Sequence, residues 1–254
     1  MHWQTLASAL FPQGHDITER DQFLSGTAKV DGETVDGETV AVIGTTEHAP
    51  IGIEIALAQA RAVLATVREH PGRAIVMLVD TQGQRLRHRD EMLGINSYMA
   101  HLGKCVDLAR RRGHKIVALV YDQALSGGFI TSGLMADSCH ALPAATIRVM
   151  GLPAMARITK VPEELLTELA RSNPVFAPGP ENYQLMGGLQ SIWDGDAGAL
   201  AAHLAQALRD VGGGGSSGGA PSDTRAALGF ERGGRKLAHP VIQAILGGHH
   251  VQAA

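Results

Sequence analysis

Ser126-Gly127-Gly128 is the strongest chemical feature of the chain. It follows an apolar run, KIVALVYD (115–122), and lies in a small-residue stretch, ALSGGFITSGLMA (124–136), that reads as a glycine-rich start to a helix. The first N–H groups of a helix have no intrahelical acceptor. Glycine lets an oxygen approach them with no Cβ in the way, and the helix dipole adds positive potential there. Such a place stabilises an oxyanion. A glycine pair also serves plain close packing beneath a neighbouring element. Ser126 could instead be a nucleophile, because Ala124-Leu125-Ser126-Gly127-Gly128 approaches the G-x-S-x-G elbow, but Ala124 breaks that pattern. Otherwise its hydroxyl would cap the helix.

A second glycine turn follows another apolar run. AIVMLVD (74–80) leads into Asp80-Thr81-Gln82-Gly83-Gln84, which superficially matches the second phosphate loop of a GTPase. That chemistry needs a G-x-x-x-x-G-K-[ST] loop as well. The Gly103-Lys104 pair has Tyr98 and Cys105 at the flanking positions, so nucleotide hydrolysis is rejected. What remains is a strand end turning sharply at Gly83, at the edge where open α/β sheets place ligands. Arg85, Arg87 and Arg89 come next, and they suit either a phosphate-bearing arm or acidic partner, or a solvated basic loop. His88-Arg89-Asp90 lacks the rest of a kinase signature and reads as an exposed polar loop. His249-His250 has no acid or thiol nearby and reads as tail.

The elements around these turns are legible from periodicity. A short helix is expected around Trp3–Leu10, and β structure over 27–45, with turn signals at Asp31-Gly32 and Asp36-Gly37 inside a tandem VDGET. Apolar residues at helical spacing predict a helix over 51–69, stopped by Pro71-Gly72. Runs 74–80 and 115–122 predict strands buried on both faces. A helix over 94–112 closes on Arg110, Arg111 and Arg112, HALPAATIRVM (140–150) suggests short strands, and Pro162 marks a helix start. The alternation predicts an α/β layered fold. VGGGGSSGGAPS (211–222) reads as a flexible linker between a domain over 1–210 and a helical segment over 223–254. The stretch GGLQSIW (187–193) suggests a surface on which Trp193 awaits a partner.

Composition narrows the function. With 254 residues, 44% hydrophobic and 19% charged, the chain can bury a sizeable core, and 4% aromatics make that core aliphatic. A net charge of −3 argues against nucleic-acid binding. Two cysteines, Cys105 and Cys139, make neither a disulfide framework nor a zinc site and read as reduced structural thiols. No run approaches a membrane span, and the first residues lack a basic signal-peptide region, so a cytoplasmic protein is expected, with no membrane and no metal.

In order, the segments IGTTEH, AIVMLVDTQGQ, ALSGGF and RVMGLPAMARITKVP resemble the crotonase/carboxyltransferase superfamily, in particular the gamma subunits of biotin-independent malonate decarboxylases. The resemblance runs from about 40 to 210. VDTQG stands where carboxyltransferases carry D-T-P-G, with Gln82 in place of the proline. ALSGGF stands where crotonases supply an oxyanion-hole N–H, which maps to Gly127 and then Gly128. Ile130 occupies the place of a hydratase glutamate, so hydration is not implied. The resemblance implies a crotonase-like β-β-α superhelix, a homologous beta subunit with the active site between the two, and an acyl carrier protein partner. It also implies a malonyl thioester on the carrier's CoA-like phosphopantetheine arm, and no cofactor bound to this chain directly. On that reading Gly127, Gly128, Gln82, Gly83 and Gln84 are catalytic, and Ser126, Arg85 and Arg87 bind substrate. Two alternatives stay open: a structural or carrier-docking role beside a catalytic beta subunit, and a serine hydrolase using Ser126.

Overall fold

The computed structural model describes residues 1–31, 38–171, 179–211, 223–234 and 238–247. Residues alternate faces along a strand, and this decides the layering. In β5 (Ile75–Gln84) the even positions Val76 and Leu78 join one core, and Ile75, Met77 and Val79 join the other. In β6 (Ile116–Leu125) Val117, Leu119 and Tyr121 face the first core, and Ile116, Ala118 and Val120 the second. Both faces must therefore be covered. On one side lie α1 (Trp3–Leu10) and α9 (Ala197–Asp210); on the other lie α2 (Ile53–Glu69) and α4 (Ile95–Arg111).

The remaining strands are β1 (Thr18–Arg20), β2 (Phe23–Val30), β3 (Glu38–Thr45), β4 (Ala49–Ile51), β7 (Ser138–Ala141), β8 (Thr146–Arg148) and β9 (Ser191–Ile192). Their order in the sheet is β1-β2-β3-β5-β6-β7-β9, with β4 continuing against β5 and β8 against β6. β1, β2 and β3 are antiparallel, and Val30 faces Glu38 across the hairpin. From β3 through β5, β6 and β7 to β9 the sheet is parallel. The hairpin expected from the Asp-Gly steps is therefore present as paired strands, and its connection lies outside the described residues, as do residues 212–222 and His249-His250. The other helices are α3 (His88–Met92), α5 (Ser126–Phe129), α6 (Leu152–Thr159), α7 (Glu163–Leu169), α8 (Pro180–Leu185), α10 (Arg225–Glu231) and α11 (Ala238–Leu246). None of the described helices is long and apolar enough to cross a membrane.

Four expectations need correcting. The strands run further than their apolar stretches: β5 continues through Asp80–Gln84 because β4 pairs with it, Thr81 opposite Ala49 and Gln84 opposite Ile51. The stretch after β6 is not one helix but a single α turn followed by a π-helical turn, Ile130–Leu134. His88-Arg89-Asp90 is not a solvated loop: it forms α3, and Asp90 is fully buried because Arg87 holds it. Trp193 awaits no partner, since the chain itself buries it between His140 and His203, with its Nε1 donating to Ser191 Oγ. Cys105 and Cys139 are both free and buried, and burial pushes the Cys139 thiol up to about 12.

His140 gives this packing a pH signature. Its ring nitrogens lie 2.8 Å from Ser191 Oγ and 3.0 Å from Ser138 Oγ. A neutral imidazole can donate at one nitrogen and accept at the other. Burial, reinforced by the His203 charge, lowers its pKa from 6.5 to about 4. The unfolded chain therefore takes up this proton first as pH falls. The stabilisation is complete above pH 6.5 and is lost progressively down to pH 4, by up to about 3 kcal/mol. The urea midpoint should fall between pH 7 and pH 5, and should fall less in His140→Gln.

Candidate active site

Two glycine turns meet at the carboxyl edge of the parallel strands. Gly83 has φ +94°, and a Cβ there would sit 2.8 Å from Ser126 Cβ and 2.9 Å from the Leu125 carbonyl oxygen. At Gly128 a Cβ would meet Gly83 Cα at 2.9 Å and Ile51 Cγ1 at 3.0 Å. Only hydrogens fit in either place, so β5 and α5 are in backbone contact. Gly128 is thus a packing glycine as well as an early helical amide. Gly127 differs: among the described residues a Cβ there meets nothing within 4 Å. Its face of the turn is open, and the amides of this first turn have no carbonyl one turn back to bond.

The turn is tightly held from behind. Ser132 Oγ donates to the Gly128 carbonyl at 2.5 Å, and Thr131 Oγ1 reaches the Gly127 and Gly128 carbonyls at 3.3 Å. Both hydroxyls reach back three or four residues, the spacing of ordinary helical back-bonding, from a π-helical turn of the kind that recurs at functional sites. Ser126 itself has φ +57°, a left-handed conformation uncommon for serine. It does not cap α5, whose N-cap is Leu125, with no side-chain cap bond.

The other singled-out residues fall into two groups. In the 82–84 stretch the Gln82 N–H donates to the His48 carbonyl (3.4 Å) and the Gly83 N–H to Thr81 Oγ1 (2.9 Å). Both amides are engaged, so they wall the site and do not offer free donors. The Gln84 side chain donates to Glu91. Arg87 bonds Asp90 (2.7 Å) and Glu54 (3.2 Å), and Arg89 pairs with Glu54 as well. Those arginines, Arg89 first, lower the Glu54 pKa from 4.5 to about 2. Arg85 has no ion-pair partner among the described residues; it lines a cavity of about 460 Å³ with Asp21, Gln22, Glu54 and Ile55. The basic cluster thus resolves into two structural cations and one available one.

Sequence reading missed three things. Arg148, paired beside Leu125 in the ladder, keeps a buried Nε without a hydrogen-bond partner among the described residues. Thr131 and Ser132 bond the glycine carbonyls three and four residues back, as helical hydroxyls commonly do, and the sequence alone did not single them out. The third is a group of His48, at the end of the loop after β3, with Asp80 and Asp122, inside β5 and β6, whose side-chain nitrogen and oxygen atoms lie within 4.8 Å of one another. The acid closing each of two apolar runs was its visible trace. Asp80 is buried, and burial pushes its carboxyl above the ordinary range against the pull of the His48 N–H.

Comparison with known proteins decides the family. The profile of the malonate decarboxylase gamma subunit family (MdcE) matches residues 46–248. The chain belongs to the malonate decarboxylase gamma subunit family. A curated relative, the malonyl-S-ACP:biotin-protein carboxyltransferase MADD of Malonomonas rubra, is 34% identical over 204 residues, 76% of this chain and 70% of its own. A Pseudomonas malonate decarboxylase hetero-tetramer in complex with coenzyme A superposes with TM-score 0.77 at 25% identity, over 96% of this chain and 98% of that one. The Pseudomonas MdcD-MdcE hetero-dimer gives 0.74 at 26%, over 97% and 98%. The transcarboxylase 12S core, at 17% identity and TM-score 0.67 over 86% of this chain and 44% of that one, shares the fold. The α/β fold of this family member is thus the crotonase-like carboxyltransferase fold, and a decarboxylase or carboxyl-transfer role goes with the family.

Proposed function

We propose that this chain, paired with a homologous beta subunit, decarboxylates malonyl-S-acyl carrier protein to acetyl-S-acyl carrier protein and CO2, as a carbon–carbon lyase of the cytoplasm. The observation that carries the reading is the open face at Gly127 beside the closed Gly83–Gly128 contact. Breaking the bond to the carboxylate releases CO2 and leaves its electron pair on the thioester as an enolate, with the charge on oxygen. Protonation at carbon gives the acetyl group. N–H donors aimed at that oxygen lower the barrier, and loss of one such donor typically costs ~2.7–4 kcal/mol. Gly127 is the principal donor and Gly128 the second. The wall at Gln82–Gln84 sets the space between them and the substrate.

The phosphopantetheine arm reaches the chain as part of the carrier substrate. Arg85 is the cation free to meet its phosphate or the malonyl carboxylate, since Arg87 is held by Asp90 and Glu54. The exposed Leu86, Met92, Leu93 and Ile130 follow the two turns in sequence and supply apolar area for the homologous subunit. The relatives known as hetero-dimer and hetero-tetramer support such a pairing.

The test is carrier-linked malonyl decarboxylation by each subunit alone and by the pair; activity should require both. Ser126→Ala should keep most activity, and a covalent serine probe should leave Ser126 unlabelled. Complete loss in Ser126→Ala with the fold intact would revive the hydrolase reading.

A further inference from the structure

Asp80 is 3% exposed at the point where the β5–β6 ladder slips register between Val79 and Thr81. Its two carboxylate oxygens go to different elements. Oδ2 accepts the backbone N–H of His48 at 2.9 Å, and Oδ1 accepts that of Gln123 at 3.2 Å. His48 leads directly into β4, whose Ile51 packs where a Cβ on Gly128 would lie. Gln123 stands three residues before Ser126, at the end of β6. The slip interrupts the β5 side of β6 just before residues 123–125, which pair with β8 on their other side, and the carboxylate supplies a hold across that interruption. The groups around it are titratable and close: the His48 ring nitrogen Nε2 lies 3.7 Å from Asp80 Oδ1 and 3.2 Å from Asp122 Oδ1. A buried carboxylate against such a group is costly unless hydrogen bonds hold it, and here both oxygens are spent on backbone.

We propose that Asp80 is a positioning residue: by holding the His48 and Gln123 amides it fixes β4 and the end of β6 relative to β5, and so sets where the Gly127 and Gly128 donors point. The inference rests on the donor role proposed above. Asp80 touches no substrate in this role. Misplacing a catalytic group by an ångström lowers the rate far more than it weakens substrate binding.

The experiment uses the assembled complex with malonyl-loaded carrier. Asp80→Asn is nearly isosteric and replaces one accepting oxygen with an amide NH2 that cannot accept. The expected result is a fall in kcat of about 10- to 100-fold, KM within about threefold, and faster amide exchange over 123–128. Val76→Ala, in the first core on the same strand, is the stability control. It should lower the melting temperature and leave kcat and exchange over 123–128 unchanged. Asp80→Asn with kcat within threefold of the parent overturns the proposal. So does an equal loss of kcat in Val76→Ala at an equal loss of melting temperature. Gly127→Val run alongside separates the two ideas. If it is inactive while Asp80→Asn is active, only the positioning role fails. If it retains full activity, the donor reading fails and the positioning role with it.

Discussion

Gly127→Val should fold normally and lose turnover by about 100-fold or more, the equivalent of ~3 kcal/mol for a lost oxyanion donor. The folding half of this expectation comes from the space at that position: among the described residues a Cβ on Gly127 meets nothing within 4 Å. Its φ is not positive, so a side chain brings no backbone strain of the left-handed kind. The catalytic half follows from the same fact. On the donor role proposed above, an oxygen reaches the Gly127 N–H beside that space, and two γ-methyls would crowd its approach. The measurements are the melting temperature of the assembled complex and single-turnover decarboxylation of malonyl-loaded carrier. An unchanged melting temperature with full turnover would remove Gly127 from the mechanism.

Gly128→Ala should fail in the opposite way. One added methyl would press on Gly83 Cα at 2.9 Å and on the Gly83 carbonyl carbon at 3.0 Å. Backbone cannot rotate aside as a side-chain tip can. Overpacking of this kind costs typically ~1–3 kcal/mol and can exceed it. For a chain of this size each kcal/mol is about 2–4 °C of melting temperature. A fall of roughly 5–10 °C is therefore expected, with β5 and α5 pushed apart and activity lost through displacement. Thermal unfolding of Gly127→Ala and Gly128→Ala side by side gives the check. Equal melting temperatures for the two would contradict the packing seen at Gly83.

The sequence carried the scaffold well and the site unevenly. Helices Trp3–Leu10, Ile53–Glu69 and Ile95–Arg111 announce themselves through spacing and stops, and β5 and β6 through unbroken apolar runs. Strand ends were less visible, because β4 and β8 extend β5 and β6 through pairings far apart in the chain. The glycine motifs were found, yet their separate roles were hidden: nothing local distinguishes Gly127, which faces space, from Gly128, which faces Gly83. Trp193 was misjudged for the same reason, since its cover comes from His203, ten residues on, and His140, far upstream. Among the arginines, only the fold could show that Glu54 claims two of three.

Arg225 and Arg232, at the start of α10 and just beyond its end, reach back across the molecule. Arg225 donates to the Leu134 carbonyl, and Arg232 donates to the carbonyls of Gln184, Leu189 and Gln190 at 2.7–2.8 Å. The backbone of α10 comes so close that a Cβ on Gly187 would lie 2.1 Å from the Arg225 carbonyl oxygen. Residues 223–234 are therefore the outer wall of the domain and no appendage to it. Cutting the gene after residue 222 would take an arginine donor from four carbonyls, one of them, Leu134, at the end of the π-helical turn beside the glycines. A shortened protein of that kind would be poorly soluble, and adding residues 223–234 back as a separate peptide would restore it in part.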